Sequence, residues 1–329
     1  MGQASRIERI YRLSRSYSLR PFHAALSSGR FQASKNHQQN KSFQGGGLRR
    51  KGFKEKLKAF LPEAEVERFR SSLEIVGDLA IIKLPPELES WGSRIAEAIL
   101  QTHRNVRAVY QQITPVQGDF RLRGFRLLAG EGGTETIHRE HGCLFKTDIA
   151  ETYFSPRLQY ERLRVARLVQ PGEVVVNMFA GVGCFSLVIA RHARPSKVYS
   201  IDLNPKAYHY MRENILLNKL AGIVEPILGD AKSVILERLR GKADRVLMPL
   251  PEKAREYLPY ALEALKPAGG WLHYYEFLHA GRAREALSQA FKLLPENLHG
   301  FRLKPEAGRI VRSVGPGWYQ VVLDVEAKP

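Results

Sequence analysis

Apolar and polar positions alternate along this chain in two distinct textures. Residues 53–70 (FKEKLKAFLPEAEVERFR) carry apolar positions at helical spacing, interrupted at Pro62. Two β-rich runs, 73–76 and 79–82, then flank Gly77-Asp78, which predicts a hairpin. The spacing over 91–103 (WGSRIAEAILQTH) predicts an amphipathic helix, and basic, β-prone stretches follow to about residue 150. Together these predict a small α+β module over 52–150. Beyond residue 160 buried strands alternate with helices. Strands are expected at 173–178, 197–202, 224–228, 244–248 and 271–275, with helices from Cys184 to His192 and from Asn204 to Asn218. That alternation predicts a doubly wound, mostly parallel sheet, an α/β Rossmann-like domain over 151–329. Segments 309–312 and 318–325, around Gly315-Pro316-Gly317, are expected to close it as an antiparallel pair.

Charge sharpens this picture. Fifty-one Lys and Arg face 33 Asp and Glu, a formal net charge of +18. Such an excess favours a polyanionic partner, because each phosphate neutralised releases condensed counterions. No apolar run approaches the roughly 18 residues that span a bilayer, so no membrane partner is expected. The two cysteines, Cys143 and Cys184, form no C-x-x-C pair and offer no disulfide framework. Residues 1–51 read as a basic low-order tail and linker, with Gly45-Gly46-Gly47 near its end and Glu8 as its only acid. Its Arg and Ser content is that of a mitochondrial transit peptide, but also of an RNA-binding arm or of an extension from a misplaced start. A cytoplasmic location is expected, or a mitochondrial one if the transit reading holds.

The strand ends carry the chemistry. In open α/β sheets ligands bind at the carboxyl ends of the strands. The first strand here ends in Phe179-Ala180-Gly181-Val182-Gly183. Two glycines spaced by one residue let backbone approach a ligand, and the next helix offers free N–H groups. Position 186 is Ser, so the full G-x-G-x-x-G is absent and a pyrophosphate-bearing dinucleotide fits less well than a methionine-derived cofactor. Asp202 ends the second strand, followed by Leu203, where a carboxylate can accept hydrogen bonds from both ribose hydroxyls. Asn204 is better placed than Asp202 to cap the next helix. Asp230 follows the third strand, positioned either for an adenine amino group or as a turn residue. Three such signals on three successive strands predict an adenosyl site.

The segments SLEIVGDLAII (72–82), GDFRLRGFRLLAGE (118–131), TIHREHGCLFKTDIAETYFSPRLQYERLRVARL (136–168), VVVNMFAGVGCFS (174–186) and VRSVGPGWYQVVLDV (311–325) resemble the archaeal and eukaryotic tRNA (guanine-37-N1)-methyltransferase family, and most closely its archaeal branch. The resemblance runs from about Gly52 to Val325. It implies a class I methyltransferase domain, S-adenosylmethionine as cofactor and the anticodon stem-loop of tRNA as partner. A monomer with no obligatory protein partner is expected. A related family, which moves the aminocarboxypropyl group of the same cofactor in wybutosine synthesis, shares much of the middle module.

Guanine N1 carries a proton at neutral pH, so the reaction needs a base near N1 and a donor near O6 for the developing charge. The resemblance gives these roles to Glu161, in SPRLxxER, and Arg121, in FRxR. A surface or phosphate contact is the alternative for Arg121, and a salt bridge to Arg157 or Arg162 for Glu161. Tyr153 matches an aromatic position near the methionine moiety. Phe179, Ala180, Gly181, Gly183, Asp202, Leu203, Asp230 and Pro249 complete the expected cofactor site.

The chain departs from the family in places. Where the family has Asn-Leu-Pro after the fourth strand, with the asparagine on the target base, this chain has Pro249-Leu250-Pro251. The side-chain amide is lost, and proline has no N–H to donate. Gly124-Phe125 replaces an acidic-hydrophobic pair, and Cys184 a proline. The family's small first domain is not seen, and the basic tail stands in its place. His138, His141 and Cys143 form an H-x-x-H-x-C pattern with no fourth ligand at a plausible spacing, so no metal is expected. The expected activity is methyl transfer to N1 of guanosine 37. A wyosine-pathway transfer and a non-catalytic tRNA-binding role are the alternatives.

Overall fold

A computed structural model of the chain describes residues 55–68 and 73–329. The expected tail over 1–51 lies outside the described residues. After Pro62 a short helix, α1 (Glu63–Arg68), resumes with acidic residues in its first turn. The Gly77-Asp78 hairpin forms as expected. β1 (Glu74–Val76) and β2 (Leu79–Ile82) pair antiparallel, with Gly77 at φ +56°, a conformation glycine adopts at low cost.

A crossover through α2 (Gly92–Thr102) sets β3 (Ala108–Gln112) parallel to β2, and β4 (Phe125–Gly130) returns antiparallel to β3. The period-2 geometry of β2 divides its buried side chains between two cores. Ala80 and Ile82 pack with Ile95 and Ile99 of α2. Leu79 and Ile81 face the other way, into a cluster with Phe145, Phe154 and Phe185. One core therefore runs without a break from this sheet into the strand–helix half of the chain.

The hairpin of β5 (Glu135–Glu140) and β6 (Cys143–Asp148) links the halves. Helix α3 (Gln159–Leu168) leads into an eight-stranded sheet. Its parallel part is β7 (Val174–Asn177), β8 (Lys197–Asp202), β9 (Val224–Leu228), β10 (Arg245–Met248) and β11 (Gly270–His279). β12 (Asn297–Leu298), β13 (Phe301–Gly315) and β14 (Trp318–Lys328) complete it in the order β12-β13-β14-β11-β10-β7-β8-β9. β14 runs antiparallel to both β11 and β13, the expected closing pair.

Chain order reverses at β7, which lies between β8 and β10. This switch point opens a crevice at the carboxyl ends of β7 and β10. Helices α4 (Cys184–Ala193) and α5 (Pro205–Leu217) follow β7 and β8. A short α6 (Ala231–Val234) follows β9, α7 (Ala254–Ala264) follows β10, and α8 (Ala283–Leu293) follows β11. Among the described residues no helix is long and apolar enough to cross a membrane.

Candidate active site at the strand ends

The loop after β7 is built from below by buried polar groups. Asn177 Nδ2 donates to Ser186 Oγ at 3.1 Å, and Ser200 Oγ donates to the same oxygen at 2.7 Å. Gly183 caps α4 at φ +93°, and a Cβ there would lie 2.5 Å from Leu187 Cδ1. Gly181, at φ +57°, donates its N–H to Asp202 Oδ2 at 2.6 Å. The Asn204 N–H reaches Asp202 Oδ1 at 3.0 Å, while Asn204 itself caps α5 by accepting from Lys206 N at 2.9 Å.

Each Asp202 oxygen thus holds one backbone donor and keeps further acceptor capacity. Burial raises its pKa above the ordinary 3.8, against the opposing pull of those two N–H groups. A half-buried carboxylate of this kind is short of donors, which is what a ribose diol supplies. The loop and Asp202 therefore fit an adenosyl group.

On one flank, Phe179 meets Tyr257 edge-on at 5.2 Å, and the Tyr257 hydroxyl donates to Asp230. Asp230 also caps α6, accepting from Ser233 N at 3.2 Å. Leu203 stands exposed beside Asp202. The Cys184 thiol is pushed up to about 12 by burial and is no nucleophile at neutral pH.

On the opposite flank, the Tyr153 carbonyl lies 3.7 Å from the position a Cβ of Gly181 would take, so this aromatic adjoins the glycine loop. Arg121 lies over its ring, guanidinium carbon 4.4 Å from the centroid. The Arg121 backbone sits at φ +58°, uncommon for a non-glycine residue, in a turn closed by its N–H on Gly118 O at 3.2 Å. Its Nη1 donates to Glu252, and its buried Nε has no hydrogen-bond partner. Arg312 Nη2 donates to the Tyr153 hydroxyl at 3.1 Å, and its Nη1 to Ser155 Oγ at 3.1 Å. Burial pushes the Tyr153 phenol up, yet Arg121, Arg312 and Arg123 together outweigh it and leave the group below its ordinary value. Bulges in β13 on either side of Arg312 accompany this aim, as bulges next to sites often do.

Glu161 lies deeper, 2% exposed. The salt-bridge partner is neither Arg157 nor Arg162. Arg157 approaches Glu74 at 3.9 Å, and Arg162 pairs with Glu140 at 2.6 Å. One turn along α3, Arg164 donates to Glu161 through Nε at 2.9 Å and Nη2 at 2.7 Å, and the Tyr275 hydroxyl adds a third bond at 2.7 Å. From Arg164 a chain of polar contacts continues to Asp324 at 2.6 Å and to His273 Nδ1 at 2.6 Å. It then passes from His273 Nε2 to Arg245 at 3.0 Å and on to Glu173 at 2.7 Å. Arg245 can only donate, so His273 carries its proton on Nδ1. Burial lowers the His273 pKa, in keeping with a neutral ring.

Tyr274 and Tyr275 are both buried in the sheet. Pro249 follows β10 at the crevice, half-buried. His138 Nδ1 accepts from Gly77 N, His141 bonds the Gln159 carbonyl and Cys143 the Leu187 carbonyl, so these three side chains have separate partners. Sequence reasoning missed Glu252 and Arg312. Glu252 directly follows the Pro-Leu-Pro departure, and Arg312 lies within a segment that carries the resemblance; those positions were the available signals.

Comparison with known proteins places the chain. Residues 136–302 match the family described as the TRM5/TYW2 methyltransferase domain, and residues 53–134 the TYW2 N-terminal domain. The chain is 40% identical to tRNA (guanine(37)-N(1))-methyltransferase Trm5b of Pyrococcus abyssi, over 82% of this chain and 76% of that one. It is also 40% identical to tRNA 4-demethylwyosine(37)-methyltransferase Taw21 of Saccharolobus solfataricus, over 78% of this chain and 93% of that one. The crystal structure of Pyrococcus abyssi Trm5b superposes with a TM-score of 0.69 at 38% identity, covering 82% of this chain and 79% of that one. That of Pyrococcus horikoshii TYW2 in complex with MeSAdo gives 0.67 at 31% identity, covering 84% and 98%. The chain belongs to the TRM5/TYW2 methyltransferase family.

Proposed function

We propose that the chain transfers a methyl group from S-adenosylmethionine to N1 of guanosine 37 in tRNA. The observation that carries this reading is Arg121, a guanidinium over Tyr153 at the edge of the glycine loop, with a buried Nε that has no partner. A donor held there is ready for a carbonyl oxygen that gains negative charge, as guanine O6 does when N1 loses its proton. The cofactor supplies an electrophilic methyl carbon when bound. Gly181 and Gly183 give the backbone room around it, Asp202 accepts its ribose hydroxyls, and Phe179, Leu203, Asp230 and Pro249 border its base. Tyr153 flanks the methionine end and keeps Arg121 off solvent. Glu161 takes the N1 proton. Its Oε1 already accepts from Arg164 Nη2 and Tyr275, whereas Oε2 accepts only from Arg164 Nε and keeps capacity for that proton.

The loss of a side-chain amide at Pro249 favours a second reading, transfer of a methyl or aminocarboxypropyl group to a wyosine precursor at the same position. Relatives with both activities stand at similar identity. The readings separate with cofactor carrying different isotopes in its methyl and aminocarboxypropyl carbons. This is offered with tRNA bearing guanosine 37 or 4-demethylwyosine 37, and the nucleosides are analysed by mass spectrometry. Methyl label in 1-methylguanosine is the expected result. Label only in the tricyclic nucleoside would replace the first reading with the second.

A further inference from the structure

We propose that Glu252 reads the 2-amino group of the target guanine and so determines base specificity, an inference that rests on the guanosine reading above. Glu252 lies on the turn Pro251–Lys253 directly after β10, at the carboxyl end of the strand that borders the switch point. Across the crevice it accepts a hydrogen bond from Arg121 Nη1 through Oε2. The two residues are 131 positions apart in the chain, and the pair joins the α+β half to the sheet half at the mouth of the site. Glu252 is about a third exposed, Arg121 less.

The pair leaves useful capacity unused. Arg121 Nε has no partner, and Glu252 Oε1 meets no hydrogen-bond donor among the described residues. A carboxylate accepts only, and a guanidinium donates only. Side by side they present donor then acceptor. The Watson–Crick edge of guanine offers the complement, with O6 as acceptor, then N1–H and the 2-amino group as donors. Arg121 meets O6, and Glu252 Oε1 receives the 2-amino hydrogens while Oε2 keeps Nη1. Adenine, with an amino group where guanine has O6, would set donor against donor. The missing amide at Pro249 is thereby compensated three residues later by a carboxylate on the turn that follows.

Inosine isolates the contact, because it keeps O6 and N1–H and lacks only the 2-amino group. The full chain, saturated with unreactive S-adenosylhomocysteine, is titrated with tRNA carrying guanosine or inosine at position 37. Single-turnover methyl transfer to both is measured in parallel. The wild type is expected to prefer guanosine by roughly ten- to a hundredfold, the range for a hydrogen bond to a charged group. In Glu252→Ala the preference should fall to within about twofold, since loss of the Arg121 partner affects both bases alike. Glu252→Gln retains an acceptor carbonyl and should retain part of the preference. Cofactor affinity equal to wild type reports that each variant is folded.

No preference in the wild type, or an undiminished preference in Glu252→Ala, overturns the assignment. A binding preference that follows Glu252 without any methyl transfer upholds it and sinks the methylation reading. Methyl transfer with a preference indifferent to Glu252 does the reverse.

Discussion

At the scale of single residues, the site is legible where its contacts are local and opaque where they are not. Gly181 and Asp202 are neighbours across adjacent strand ends, so the βα rhythm alone predicts their meeting, and the 2.6 Å hydrogen bond between them follows. Arg121 with Glu252, and Arg312 with Tyr153, are joined only by the tertiary fold. No periodicity announces such partners. Two predictions belong here. Gly183→Ala puts a methyl group 2.5 Å from Leu187 Cδ1 at φ +93°, so it should cost about 1–3 kcal/mol of stability, measured by denaturant unfolding. Cofactor affinity should fall as well. The second concerns pH. Asp202 has a raised pKa in the free chain, and hydroxyl donors from a ribose favour its ionised form, so binding at a pH near or below that pKa releases a proton. Adenosyl-cofactor affinity should then weaken as pH falls through that raised pKa. Calorimetry checks this, and in Asp202→Asn the pH dependence should disappear while affinity drops roughly tenfold or more.

At the scale of elements, the parallel strands were readable because strands covered on both faces are short apolar runs. The pattern predicts β11 only as far as Tyr275, while it runs from Gly270 to His279. Polar residues stand along it at His273 and Glu276. Inside the fold they are paired, His273 with Asp324 and Arg245, and Glu276 with Arg255 at 2.5 Å. α7 forms although Pro259 sits within it, a residue that argues against a helix interior.

The β5–β6 hairpin is held by a device no pattern suggests. Asn214 of α5 and Asn218 at its C-cap, one turn apart, act as a substitute strand for β6. Asn214 accepts from Lys146 N at 2.7 Å and donates to its carbonyl at 2.9 Å, and Asn218 does the same with Leu144 at 2.9 and 2.7 Å. Asn214→Ala leaves the Lys146 N–H and carbonyl and the Val182 carbonyl without these partners. It should destabilise the chain by about 2–4 kcal/mol in denaturant unfolding. Asn214→Asp keeps the acceptor only and should fall between.

At the scale of the whole molecule, the continuous core from β2 to Phe185 brings the arginine-bearing loop of the α+β half to the cofactor loop of the sheet half. On the proposed mechanism catalysis depends on both halves, with residues far apart in sequence facing one crevice. The net charge of +18 was legible at once and gives the partner class, not the site. Ten of the cations fall within residues 1–50, against the single Glu8. If they contact phosphates, deleting residues 1–50 should weaken tRNA binding and lower the slope of log affinity against log salt. An unchanged slope would remove the tail from the RNA interface.

The central claim, that Arg121 stabilises charge on guanine beside the cofactor loop, is tested most directly by the single-turnover rate of 1-methylguanosine formation in wild type and Arg121→Gln. Cofactor affinity is measured alongside. The account predicts a rate lower by about a hundred- to a thousandfold, the usual loss for one preorganised donor, with cofactor affinity unchanged. Equal rates in the two proteins would contradict it.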